Sequence, residues 1–202
     1  NDGHQVTVFE KSRGSGGRAS HKRLDWTRCD IGATIIPVTD DAFMAFMQQQ
    51  AQKGNAAQWP VSPIMQWHKG QLTARPPERL NSHYVFIPGM NSACKSWLAS
   101  VTFITNSRIT SLSQCDNGWR LSDDNDEYYE GFDRIIVTIP IPQALSLISS
   151  HLASSPSDDE IKWSSCWSVV CQLNQSIAAP YEQIYLKGHK VQAISLDSSK
   201  PG

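Results

Sequence analysis

The chain has 202 residues, with 18 lysines and arginines against 19 aspartates and glutamates, a net charge of −1 and 40% hydrophobic residues. That length holds one large domain or two small ones with a real core, and the charge balance excludes a basic excess of the nucleic-acid-binding kind and an acidic disordered tail. Its longest apolar runs, such as RIIVTIPI at 134–141, fall far short of the ~20 residues a membrane-spanning helix needs.

QVTVFE is short and rich in β-branched residues, which predicts a strand over Gln5–Phe9 that stops at Glu10. KSRGSGGR follows, then a polar, basic stretch to Arg28, and then CDIGATII, an apolar run with a glycine inside it. A helix is predicted from Thr39. Thr39 or Asp40 can cap it, Phe43, Phe46, Met47 and Ala51 recur at helical spacing, and Gly54 ends it. PIMQWHKGQLTA at 63–74 reads as two short strands turning at Lys69-Gly70, and RPPERLNSH at 75–83 as loop.

From His83 the pattern gives strand, turn, a helix with Ala93, Trp97 and Leu98 on its apolar face, and two more strands. GWRLS and EYYEGF form an antiparallel meander around the DDND turn, and SSPSDDE at 154–160 is a polar linker or helix start. RIIVTIP predicts a second continuous apolar strand at 134–139, leading into a helix with Pro142 in its first turn. KWSSCWSVVCQLN at 162–174 alternates as a long strand, and KVQAISLDSSKPG closes with another. The strands at 5–9 and 134–139 carry the pattern of parallel strands covered by helices, and the alternating ones between them that of antiparallel strands. The fold class expected is α/β with an α+β portion.

Glu10 poses the chemical question. An acid at the carboxyl end of a strand is where dinucleotide-binding folds bind the adenosine ribose hydroxyls, although one that merely ends a strand in solvent sits there equally well. The glycines tilt the reading. Gly16-Gly17-Arg18 lets backbone pass close to a pyrophosphate while the guanidinium offers charge-assisted hydrogen bonds. Glu10 and Lys11 with Gly16, Gly17 and Arg18 are therefore candidate cofactor-binding residues.

VTVFEKSRGSGGRAS resembles the second-strand and GG-motif segment of FAD-dependent oxidoreductases in the amine oxidase and renalase-like group. CDIGA, YVFIPGMNSACKSWLA, SRITSL with GWRL, FDRIIVTIPIPQALSLI, CWSVV and DSSKPG are similar, in order, to further segments of the renalase-like branch. The resemblance implies an incomplete Rossmann-like FAD-binding domain with an antiparallel β-meander (1–38 and 84–150), plus an α+β substrate domain (39–83 and 151–202). It assigns Glu10 to ribose, Gly16, Gly17 and Arg18 to pyrophosphate, and Gly32 and Ala33 to the neighbourhood of the flavin ring. Arg108 and Ile109 match the strand whose backbone meets adenine, and Thr138 and Pro140 the sheet edge near the cofactor. Arg108 as a surface charge and Ile109 as core remain equally good readings.

The implied activity is oxidation of a small reduced substrate, a dihydronicotinamide or an amine, by hydride transfer to flavin with oxygen as acceptor. No catalytic acid or base is assigned. Thr34 and Ile35 depart from the D-x-G-A-Q-[YW] pattern of the family, and the G-x-G-x-x-G loop expected to precede NDGHQVTVFE by roughly 20 residues is absent. The chain starts at Asn1 and ends on SSKPG, and reads as a piece of a longer protein. Alternatives are a non-catalytic binding module of the same fold, or a nicotinamide-only dehydrogenase using the same acid.

Other sites read weakly. The six histidines show no i, i+4 ligand pairs, so no metal is expected. Cys29, Cys94, Cys115, Cys166 and Cys171 lack C-x-x-C spacing, which suggests neither zinc nor a disulfide framework and fits a reducing cytoplasm. HKRLDWTR at 21–28 reads as a solvated basic loop beside an anionic cofactor, and the seven tryptophans chiefly as core filling. A small-molecule substrate, no nucleic acid and no membrane are the expected partners, with the oligomeric state open.

Overall fold

The structure, a computed structural model, describes residues 3–59, 64–75, 82–152 and 162–202. In chain order it begins with β1 (Thr7–Glu10), a 3-10 turn (Gly17–Ala19), β2 (His21–Arg23), β3 (Arg28–Asp30), β4 (Ile36–Val38) and α1 (Asp41–Gln52). There follow β5 (Ala56–Gln58), β6 (Met65–His68), β7 (Gln71–Ala74), β8 (Ser82–Phe86), α2 (Ser92–Leu98) and β9 (Thr102–Thr105). The rest comprises β10 (Ile109–Cys115), β11 (Gly118–Asp123), β12 (Tyr128–Phe132), α3 (Ile141–Ile148), β13 (Gln183–Leu186) and β14 (Ala193–Ser195). The architecture is mixed α/β, with several small antiparallel sheets.

The chain divides into two compact units, Asn1–Ser15 with Leu98–Trp167, and Gly16–Trp97 with Ser168–Gly202. In the first, β1 and β9 pair in parallel, from Thr7↔Thr102 to Glu10↔Thr105. β10, β11 and β12 form the expected antiparallel meander. Phe9 of β1 sets its ring edge-on to Tyr129 at 4.8 Å and Phe132 at 6.0 Å, so the parallel pair and the meander share an aromatic contact. α3 carries proline in its first turn, where the missing N–H costs nothing.

The second unit holds the buried core. Val38, Met47, Ala56, Trp59, Tyr84, Val85, Phe86, Met90 and Ala93 form one cluster, in which Met47 and Val38 are wholly enclosed. Here β4, β8 and β5 form one sheet, β14, β13, β6 and β7 another, and β2 and β3 a hairpin. Asp40 is the α1 cap, its Oδ1 accepting the Phe43 N–H at 2.8 Å, and Gly54 ends the helix at φ +74°. Lys69 and Gly70 both take positive φ, 48° and 82°, as a two-residue hairpin turn matched to strand twist requires.

Two expected strands do not form. Residues 134–139 form no strand among the described residues, and Ile136 is 85% exposed. The described residues of 162–174 likewise form no strand, with Trp167 90% exposed, so Trp163 and Trp167 do not share a strand face. An apolar or alternating pattern supplies a face, but a strand is stabilised only by a ladder partner. His83, read as the junction of loop and strand, lies in β8, while 76–81 of that loop and the linker at 154–160 lie outside the described residues. β13 was not foreseen, and pairs in parallel with β6. The basic stretch to Arg28 is the β2–β3 hairpin.

Candidate functional site

Glu10 closes β1 at the carboxyl edge of the parallel pair. Its Oε1 accepts the Ser12 N–H at 2.8 Å, and the carboxylate has no other partner among the described residues. The backbone beyond the strand is clasped to the segment after β9: Ser107 N–H donates to the Glu10 carbonyl and Asn106 N–H to the Ser12 carbonyl, both at 3.1 Å.

That segment is held from the other side by Asp123, 4% exposed. Its carboxylate accepts from Ser107 Oγ at 2.7 Å, from the Asn125 and Glu127 N–H groups at 2.9 and 3.1 Å, and from Asn125 Nδ2 at 3.3 Å. Burial pushes the Asp123 pKa up, but these four hydrogen bonds outweigh it and hold the group at about 2. Asp124 fixes Arg108 through both backbone groups, at 3.2 and 3.0 Å. The structure thus brings Glu10, Arg108 and Ile109 together at one edge. Lys11 is exposed beside them. Thr138 and Pro140 lie in the segment between β12 and α3, where the Pro140 carbonyl starts α3 by accepting from Gln143 and Ala144.

In the second unit the glycine loop meets the D-x-G-A segment backbone to backbone. Ala33 N–H donates to the Arg18 carbonyl at 2.7 Å, and Ile31 and Gly32 N–H donate to the Ser20 carbonyl. A Cβ on Gly32 would lie 2.1 Å from the Arg18 carbonyl oxygen, so only glycine permits this approach. Gly16, at φ +130°, sits against Asn91, while Gly14 and Gly17 face open space. Gly16, Gly17, Arg18, Gly32 and Ala33 are therefore one cluster.

Asp30 anchors it. Its side chain, 5% exposed, accepts the Met90 N–H at 2.9 Å and lies 2.9 Å from His21 Nδ1 and 3.1 Å from Lys200 Nζ, which also pairs with Asp197 at 2.6 Å. Lys200 stands over the buried Trp59 ring at 5.5 Å, and Trp59 Nε1–H donates to Ser199 Oγ. Cys29 beside it has its pKa raised, first by burial and then by the Asp197 and Asp30 carboxylates.

Sequence reasoning missed Asp30, Asp123, His21 and Lys200 as positioning groups. The available signal was an acid before glycine in CDIGA and a lone cation in DSSKPG. Among the described residues no three His, Cys, Asp or Glu are placed to hold a metal ion, and no helix is long and apolar enough to cross a membrane.

Tethered through one oxygen, the strand-end carboxylate of Glu10 keeps acceptor capacity to spare. Comparison with known proteins agrees at the level of fold. Residues 1–49 match the NAD(P)-binding Rossmann-like domain family. The whole chain is similar to the crystal structure named "Putative protoporphyrinogen oxidase" from Exiguobacterium sp. 255-15, at 12% identity and TM-score 0.65, covering 97% of this chain and 68% of that one. It is also similar to the PF1083 protein from Pyrococcus furiosus, at 13% identity and TM-score 0.61, covering 98% and 71%. The chain is thus mixed α/β with a Rossmann-like N-terminal portion.

Proposed function

We propose that the protein is an FAD-binding oxidoreductase of the renalase-like kind. The observation that carries the reading is Glu10, tethered through one oxygen at the carboxyl edge of a parallel strand pair. Glu10 accepts the adenosine ribose hydroxyls, the backbone at Arg108 and Ile109 faces adenine, and Gly16, Gly17 and Arg18 receive the pyrophosphate. Gly32 and Ala33, hydrogen-bonded to the Ser20 and Arg18 carbonyls, set the position of the loop. When bound, FAD supplies the hydride acceptor for a small reduced substrate, a dihydronicotinamide or an amine, with oxygen as the final acceptor. The similarity to a structure named as an oxidase supports this choice over a nicotinamide-only enzyme.

Equilibrium dialysis against FAD and NAD⁺, then anaerobic mixing of the loaded protein with dihydronicotinamide or amine, tests it. Preferential FAD binding and bleaching of the visible flavin band are expected. Preference for NAD⁺ would select the dehydrogenase reading, and FAD binding without bleaching by either class would select the non-catalytic one.

A further inference from the structure

We propose that the second unit carries a site for a phosphoryl group, in a cavity of about 270 Å³ between the β2–β3 hairpin and the start of α2. His21, Arg23 and Arg28 line it from the hairpin, and Asn91, Ser92 and Lys95 from the helix.

Arg23 and Arg28 are direct cross-strand partners. Like charges in that position destabilise a hairpin, and Lys95 adds a third cation to the same cavity. None of the three pairs with a carboxylate among the described residues. Three uncompensated cations around one concavity exceed what a single carboxylate ligand would neutralise, and match a phosphate dianion, which arginine recognises through paired N–H donors.

Asn91, 9% exposed, lines the same cavity from the helix start, where its side-chain amide adds a neutral donor to the three cations.

The walls are also fixed in advance. Asp30 ties the hairpin to the helix start by holding His21 Nδ1 and the Met90 N–H, each at 2.9 Å. Gly89 packs so closely on His21 that a Cβ there would lie 2.3 Å from Nδ1. The volume is below that of a drug-sized pocket, which suits a phosphoryl group with a small part of what it is attached to. The site is read from the second unit alone and does not depend on the cofactor reading. The phosphoryl group belongs either to a dinucleotide or to a separate phosphorylated molecule.

Calorimetric titration of the chain with inorganic phosphate and with pyrophosphate at low salt tests this. Saturable binding at one site is expected, weakened at least about tenfold by Arg23→Gln and by Arg28→Gln, since each removes a charged hydrogen-bond donor. Lys190→Gln, an exposed change outside the cavity, should leave it unaltered. Without phosphate, Arg23→Gln should melt no lower than the parent chain, because a like-charge pair is relieved, while phosphate should raise the melting temperature of the parent only. No saturable binding, or equal loss in Lys190→Gln, would overturn the site. Phosphate excluded by prior FAD loading would identify the dinucleotide as the source, and phosphate bound alongside FAD a separate ligand. FAD binding without phosphate binding sinks this proposal alone, and the reverse sinks the cofactor reading alone.

Discussion

Replacing Asp30 by alanine removes an acceptor that three donors share in a nearly dry place. The Met90 N–H at 2.9 Å would be left without a partner, a cost of about 1–3 kcal/mol for a buried group. Lys200, its side chain 10% exposed, would lose one of two carboxylates. Removing one member of a buried ion pair costs about 3–5 kcal/mol, but Asp197 still holds the ammonium at 2.6 Å and takes up part of that. The sum expected is about 3–5 kcal/mol, or a fall in melting temperature of roughly 6–20 °C for a chain of this length. Urea unfolding followed by tryptophan emission is the assay, because Trp59 is 1% exposed and lies against Lys200. Asp30→Asn keeps an acceptor for Met90 and should cost less than Asp30→Ala. A loss below about 1 kcal/mol in Asp30→Ala would show that water already satisfies these donors, and the reasoning would fail.

Gly32→Ala should destabilise by about 1–3 kcal/mol or more, because the new methyl meets the Arg18 carbonyl at 2.1 Å and must part the two segments; denaturant titration reads this. Asp123 has a folded pKa of about 2, below its unfolded value, so its contribution is present above the unfolded pKa and lost as the pH falls toward 2. Ser107→Ala removes the 2.7 Å hydrogen bond and should raise both that pKa, read by carboxyl NMR, and the pH of acid unfolding. Aromatic disulfide reagents should label the exposed Cys166 and Cys171 at once and Cys29 only after unfolding, since its thiol is buried with a raised pKa. Rapid labelling of Cys29 in the folded chain would contradict the packing around Asp30.

The parts legible in the sequence were those whose causes are local. Asp40 caps α1 through Phe43, three residues away, and Lys69-Gly70 sets its hairpin from within. Glu10 marks the end of β1 by its own charge. What failed depends on partners distant in the chain. Residues 134–139 and 162–174 have strand composition, but no ladder receives them among the described residues. β13 is short and unremarkable in QIYL, and becomes a central strand only because Ile184 meets Met65. The site divides in the same way. GG-R and D-x-G-A were each marked by motif, but their backbone contact was not, and the meeting of Asp30 with Lys200 across 170 positions left only two isolated charges as its trace. HKRLDWTR reads as a solvated loop until the register places Arg23 opposite Arg28.

The measurement that bears most directly on the central claim is a fluorescence titration of FAD into the parent chain and into Glu10→Ala. A carboxylate accepting ribose hydroxyls contributes about 1.5–3 kcal/mol, so binding should weaken by roughly ten- to a hundredfold in the variant while its melting temperature stays put. Equal affinity in the two chains would contradict a dinucleotide site built on Glu10.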